Sequence, residues 1–207
     1  MRVAVLGGTG SFGRALAARL AALGEDEVVI GSRDAGRAAE AAAELGVLGA
    51  TNEQAVAGAD LAILAVKADG ALDTASRVAR ALGTTPLLSV ATAIEFRKGV
   101  GMLPDPEALS LAERIQQVVA APVVAGLHSI AAANLDEGAA DEDALVCGDD
   151  EAAKELVLAL AARLVSGRAL DAGPLASARA LEGLTAVIVN LNRRYKAHAG
   201  VRISGVE

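Results

Sequence analysis

The chain has 207 residues, a net charge of −7, 1% aromatic residues and one cysteine, Cys147. That length suits one domain with a modest extension, and 53% apolar residues, mostly Ala, Leu and Val, are ample for a core. The acidic balance and the lack of stacking rings argue against a nucleic-acid partner, one cysteine makes no internal disulfide, and no apolar run approaches the ~20 residues of a membrane span. No charged-then-apolar leader precedes the first strand, so the expectation is a cytoplasmic protein with no membrane contact.

In chain order, "RVAVL" (Arg2–Leu6) predicts a buried strand and Ser11–Leu23 a helix. "EVVIG" is a second strand, followed by a helix of strong formers over Ala35–Leu45. "DLAILAV" (60–66) is a third strand, with a helix over 69–82. "PLLSV" and "PVVAGL" read as further strands, with a helix over 107–119 between them. "DALVCGDD" then leads into a helix over Glu151–Leu164, "GRALDAG" is a late strand, and a long helix covers 176–198. Continuous apolar strands separated by helices indicate an α/β, Rossmann-type doubly wound parallel sheet, here with a small C-terminal α/β extension ending in a long helix. The expected division is a Rossmann-type domain over 1–140 and a small C-terminal segment over 141–207.

"VLGGTGSFG" joins the first strand to the first helix, and Gly8, Thr9, Gly10, Ser11, Phe12 and Gly13 fit G-x-G-x-x-G. The glycines allow a tight turn, bare backbone against a pyrophosphate, and close packing of helix on strand. A chain built for NAD ends its second strand in a carboxylate for the ribose hydroxyls; this one ends in Gly31-Ser32-Arg33. An arginine there accepts a 2′-phosphate through paired N–H donors, Thr9 reaches the same place, and Arg37 adds charge one turn later. Asp34 is free to cap the helix that follows. Val66 and Lys67, at the end of the third strand, border the cofactor crevice. The chain has no Tyr-x-x-x-Lys pair in its middle and no Cys/His cluster, so no metal is expected. With no dedicated general acid, the pattern fits hydride exchange between two redox cofactors, where the protein supplies orientation and an enclosed cleft. Two other readings stay open at this point: an NADP-dependent reductase of a small imine or keto substrate, and a non-catalytic NADP-binding redox sensor.

"GGTGSFG", "GSRDAGR", "LHSI", "VCGDD", "LDAGPLASARALEGLT" and "NRRYKAHAG" occur in an order that resembles the NADPH-dependent reductases of coenzyme F420, in their actinobacterial branch. The resemblance implies an oxidoreductase that passes hydride directly between NADP(H) and the deazaflavin F420, supplying reduced F420 from NADPH. It implies a 2′-phosphate clamp at Thr9, Ser32, Arg33 and Arg37, and a ring-lining stretch over 127–131. Within that stretch His128 would be a polar wall to the rings, with Ile130 and Ala131 beside it. Asp171, Gly173 and Pro174 would set the last helix over the cleft. The family's acidic F420 tail calls for a basic surface, for which Arg193, Arg194, Lys196 and Arg202 form one group and Arg97 and Lys98 another. The region 91–102 departs from the family's pattern. The last helix carries an apolar stripe, and a homodimer is expected.

Overall fold

Strand β1 (Arg2–Leu6) sends Val3 and Val5 to one side and Ala4 and Leu6 to the other, and all four are fully buried. A strand apolar on both faces requires cover on both, and the rest of the chain supplies it. The computed structural model describes residues 1–104, 109–136 and 138–206.

Helix α1 (Ser11–Leu23), β2 (Glu27–Ser32) and α2 (Ala35–Leu45) follow. Both helices stop at a glycine in the left-handed region, Gly24 at φ +68° and Gly46 at φ +67°, where a side chain would be strained. Asp34 caps α2 by accepting from the Arg37 amide, as the sequence suggests. The chain then forms β3 (Leu48–Thr51), α3 (Asn52–Val56), β4 (Leu61–Leu64), α4 (Ala68–Leu82) and β5 (Leu87–Ser89). A hairpin, β6 (Glu95–Arg97) and β7 (Val100–Met102), stands apart from the main sheet. After it come α5 (Leu111–Gln116), β8 (Val123–Gly126), α6 (Ala132–Asp136), β9 (Ala144–Gly148), α7 (Glu151–Leu164), β10 (Ala169–Asp171) and, after a 3-10 turn at Leu175–Ser177, α8 (Ala178–Tyr195).

The eight-stranded sheet has the order β10-β9-β8-β5-β4-β1-β2-β3. One apolar layer joins α1, α2, α6 and α7 to one face, and a second joins α3, α4, α5 and the start of α8 to the other. The doubly wound reading therefore holds, with four differences from expectation. Strand β9 runs antiparallel to β8, so the sheet is mixed at that joint. The connection between them holds only the five-residue α6, which packs on α1 instead of carrying the chain back across the sheet. Strand β3 was not expected because "LGAT" is a short, half-exposed edge; Gly49 lies so close to α2 that a Cβ would sit 2.5 Å from the Ala38 carbonyl. The hairpin over 95–102 was also not expected, and Lys98 and Gly99, both at positive φ, form its two-residue turn. Finally, the helix expected over 107–119 is α5 alone, with residues 107 and 108 outside the described residues, and the last helix ends at Tyr195, not 198.

Candidate functional site

β1 has β4 on one side and β2 on the other, so the crossovers diverge at the end of β1 and open a crevice there. The glycine loop sits on that crevice. Gly7 has φ +76°, and the turn closes through Gly10 N–H donating to the Gly7 carbonyl at 2.9 Å. A Cβ on Gly13 would lie 2.6 Å from the same carbonyl, so only glycine lets α1 pack this tightly beneath the loop. Side chains cap α2, α3, α5 and α7, through Asp34, Thr51, Ser110 and Asp150. Helices α1 and α4, which point at the crevice, begin at Gly10 and Lys67 with no side-chain cap. Their first-turn amides are left for an anion, and this bare cradle fits the pyrophosphate of a dinucleotide.

A cavity of about 250 Å³ opens from the loop toward α8. Phe12, Val66 and Lys67 line one side of it, with Val90, Ala91, Thr92 and Ile94 from the segment after β5. Leu127, His128 and Ile130, after β8, and Thr185, from α8, complete the wall. Of the residues expected here, Phe12, Val66, Lys67, His128 and Ile130 are brought together, while Ala131 stands off the lining and turns the chain into α6. Leu127 is buried at φ +63°, a conformation uncommon for a side chain of its bulk, and it aims the following residues across the strand end.

The His128 imidazole is buried, and among the described residues neither ring nitrogen completes a hydrogen bond. Burial lowers its pKa to about 4, offset only in part by the Ala91 carbonyl, which favours the protonated ring. The ring is therefore neutral at pH 7. Among the described residues, Lys67 is then the one charged side chain on the cavity wall. The Cys147 thiol, buried and facing the charges of Asp149 and Asp171, is pushed up to about 12 and is inert.

A second, smaller cavity of about 60 Å³ lies beyond the end of β2. Arg33 lines it with Asn52, Glu53, Thr74, Arg77 and Val78. Arg33 and Arg37 are exposed, while Ser32 is buried with its hydroxyl accepting from the Asp34 amide at 3.2 Å. Sequence reasoning missed Asn52, Thr74 and Arg77, which come from α3 and α4 and meet Arg33 only in three dimensions. It also missed Thr92 and gave Thr185 no role.

The two basic groups of the sequence regroup in space. Asn190 of α8 holds the hairpin by accepting from the Gly101 amide at 2.7 Å and donating to its carbonyl at 2.9 Å. Arg193 lies over the Phe96 ring at 5.3 Å, so the end of α8 and the hairpin form one surface. Arg97 is paired with Glu95, and Arg202 points elsewhere, onto Asp141.

The family model described as NADP oxidoreductase, coenzyme F420-dependent, matches residues 2–93. An F420-dependent NADP reductase of Methanothermobacter marburgensis is 36% identical over all of this chain and 99% of its own length. One from Methanocaldococcus jannaschii is 34% identical over the whole of both chains. A crystal structure from Arthrobacter sp. FB24, provisionally described as an F420-dependent NADP reductase, superposes with a TM-score of 0.86 at 30% identity, covering all of both chains. A Streptomyces aurantiacus imine reductase shares the fold alone, at 24% identity and a TM-score of 0.59; this chain covers 61% of it. These relatives come from archaea as well as Arthrobacter, so they carry the family and not the actinobacterial branch. With full-length identity above 30% to two of its members, the chain belongs to the F420-dependent NADP reductase family.

Proposed function

We propose that this chain is an oxidoreductase that moves hydride directly between NADP(H) and coenzyme F420, working in the cytoplasm to supply reduced F420 from NADPH. The observation that carries this reading is the 250 Å³ cavity at the switch point, whose histidine is held neutral and whose other lining groups, Lys67 apart, are uncharged. Such a wall offers no strong acid near neutral pH, which a small imine or keto substrate would need from the protein. It suits two rings that carry the redox chemistry themselves and need only stacking and shielding from water.

In this reading residues 1–140 bind NADP, the pyrophosphate on the uncapped start of α1 and the 2′-phosphate on Thr9, Ser32, Arg33 and Arg37. Residues 141–207 complete the deazaflavin cleft through Thr185. His128 and Ile130 face the rings, His128 as a neutral polar wall, with Ala131 next in the chain but off the lining. The surface shared by the hairpin and the end of α8 steers the acidic tail through Lys98, Arg193, Arg194 and Lys196. Two copies pair through α8, where Val187, Leu191 and Tyr195 recur at four-residue spacing and are 53%, 41% and 67% exposed. Leu191→Glu is expected to yield monomers in sedimentation.

The test of the activity is a stopped-flow assay of purified protein with NADPH and oxidised F420, following loss of the deazaflavin absorbance, with NADH in parallel. NADPH-selective bleaching is the expected result. Tight NADPH binding without bleaching overturns the assignment.

A further inference from the structure

The block "E-x-L-T" at the start of α8 has a structural use for its glutamate, since Glu182 accepts from the Leu111 and Ala112 amides at 3.1 and 3.2 Å and caps α5. Its threonine does something different. Thr185 Oγ1 lies 2.9 Å from the His128 carbonyl, 3.4 Å from the Leu181 carbonyl and 3.3 Å from Thr92 Oγ1. A hydroxyl has one proton, and a carbonyl can only accept. The Thr185 proton therefore goes to a carbonyl, His128 being the shorter contact. The contact between the two hydroxyls is then a hydrogen bond only if Thr92 donates. With its proton spent on Thr185, Thr92 is left with lone pairs alone, on a residue that lines the cavity. Neutral His128 keeps one acceptor nitrogen on the same wall, and Lys67 can only donate, so Thr92 is the hydroxyl acceptor of the cleft.

We infer that Thr92 is a specificity-determining residue of the cleft, an acceptor for an amide-type N–H of a bound ring, and that Thr185 fixes it in that state by committing its own proton to the His128 carbonyl. Two rings of the proposed reaction carry such a group: the nicotinamide, in its carboxamide, and the deazaflavin, in its pyrimidine ring. The inference rests on the reading that this cleft takes those rings. It deepens that reading by naming the group that orients one of them.

The experiment measures binding of NADP⁺ to the protein alone, by calorimetry, against the analogue in which an acetyl group replaces the carboxamide and removes the N–H. Thr92→Val keeps the shape and removes the acceptor. It is expected to weaken NADP⁺ by about three- to tenfold, the scale of one neutral hydrogen bond, and to leave the analogue unchanged. Thr92→Ser is expected to restore the difference. Thr185→Val, which releases the Thr92 proton, is expected to shrink it. If NADP⁺ binding is unchanged but the F420 Michaelis constant rises by a similar factor, the N–H belongs to the deazaflavin and the assignment of Thr92 as acceptor stands. Equal weakening of NADP⁺ and analogue, or no change for any ligand, overturns it. Because the binding arm needs no turnover, a protein that discriminates NADP⁺ from the analogue yet fails to bleach F420 would keep this inference and lose the proposed activity.

Discussion

Replacing Arg33 by alanine separates cofactor choice from folding. The Arg33 side chain is exposed and, among the described residues, makes no ion pair or hydrogen bond within the protein, although it borders the small cavity at the end of β2. Its loss should therefore move stability by no more than about 0.5 kcal/mol, the usual range for such surface sites. In the proposed binding mode the guanidinium gains a 2′-phosphate, and a hydrogen bond to a charged group contributes about 1.5–3 kcal/mol. Exposure to solvent places the effect toward the lower end, about 10- to 30-fold in the NADP⁺ dissociation constant. NAD⁺ has no 2′-phosphate and should change by less than about twofold on the same arithmetic. Calorimetric titration of wild type and variant with both cofactors reads the two numbers directly. Raising the salt should narrow the gap between the proteins, since the Debye length falls from about 10 Å at 0.1 M to about 3 Å at 1 M. Arg77, which borders the same cavity, is already engaged by Asp73 at 2.9 Å and cannot fully substitute. Equal weakening of NADP⁺ and NAD⁺, or a substantial drop in melting temperature, would refute the phosphate-clamp reasoning.

Gly13→Ala forces a Cβ to 2.6 Å from the Gly7 carbonyl and 3.0 Å from the Gly8 Cα, backbone that cannot swing aside, so thermal melts should show a loss of about 1–3 kcal/mol together with weaker NADP⁺ binding. Gly70→Ala in α4, where a Cβ meets nothing within 4 Å, should instead stabilise by up to about 1 kcal/mol. The His128 pKa is depressed from 6.5 to about 4, so its neutral form stabilises the fold above pH 6.5 and that contribution is lost as pH falls toward 4. Unfolding of His128→Gln should accordingly show about 2–3 kcal/mol less acid sensitivity between pH 7 and 4.5, and equal sensitivity would mean the ring is not held neutral. Glu182→Ala should cost about 2–3 kcal/mol in denaturant unfolding by orphaning two buried amides of α5. Burial raises the Glu182 pKa, so its contribution is largest at low pH and declines as pH rises through the folded value; a variant whose deficit grew with pH would contradict this.

The parts of the site that lie along the chain were legible in it. Glycine spacing places the loop, because the turn, the bare backbone and the tight helix packing each demand a missing Cβ at a fixed offset from the strand. Arg33 is legible because the end of the second strand is a defined place in this fold. The partners of Arg33 are not, since Asn52 and Thr74 carry ordinary helix residues' signatures, and β3, which delivers Asn52, is an edge strand too short and exposed to announce itself. The antiparallel turn into β9 is hidden for a related reason: strand runs carry no direction, and α6 is too short to read as a missing crossover. Thr185 lay inside a block whose family resemblance was plain, yet its role depends on three distances that no pattern encodes.

Those distances also account for how so small a C-terminal segment can complete the cleft. Helix α8 reaches the Rossmann core at three levels. Glu182 secures the start of α5, Thr185 holds the carbonyl of His128, and Asn190 pairs with Gly101 in the hairpin that continues from Ile94. Each contact is a side chain satisfying a backbone group, so α8 is held in register along its length and cannot slide without leaving polar groups unpaired. The cavity wall at Thr92 and the floor at His128 are thereby tied to one rigid element. A loss of Thr185 should therefore alter ligand discrimination more than stability, whereas a loss of Glu182 should do the reverse. Comparing melts and binding for the two variants tests whether α8 is a positioning element or merely a cover. If both variants lost stability and discrimination in proportion, α8 would be only a cover.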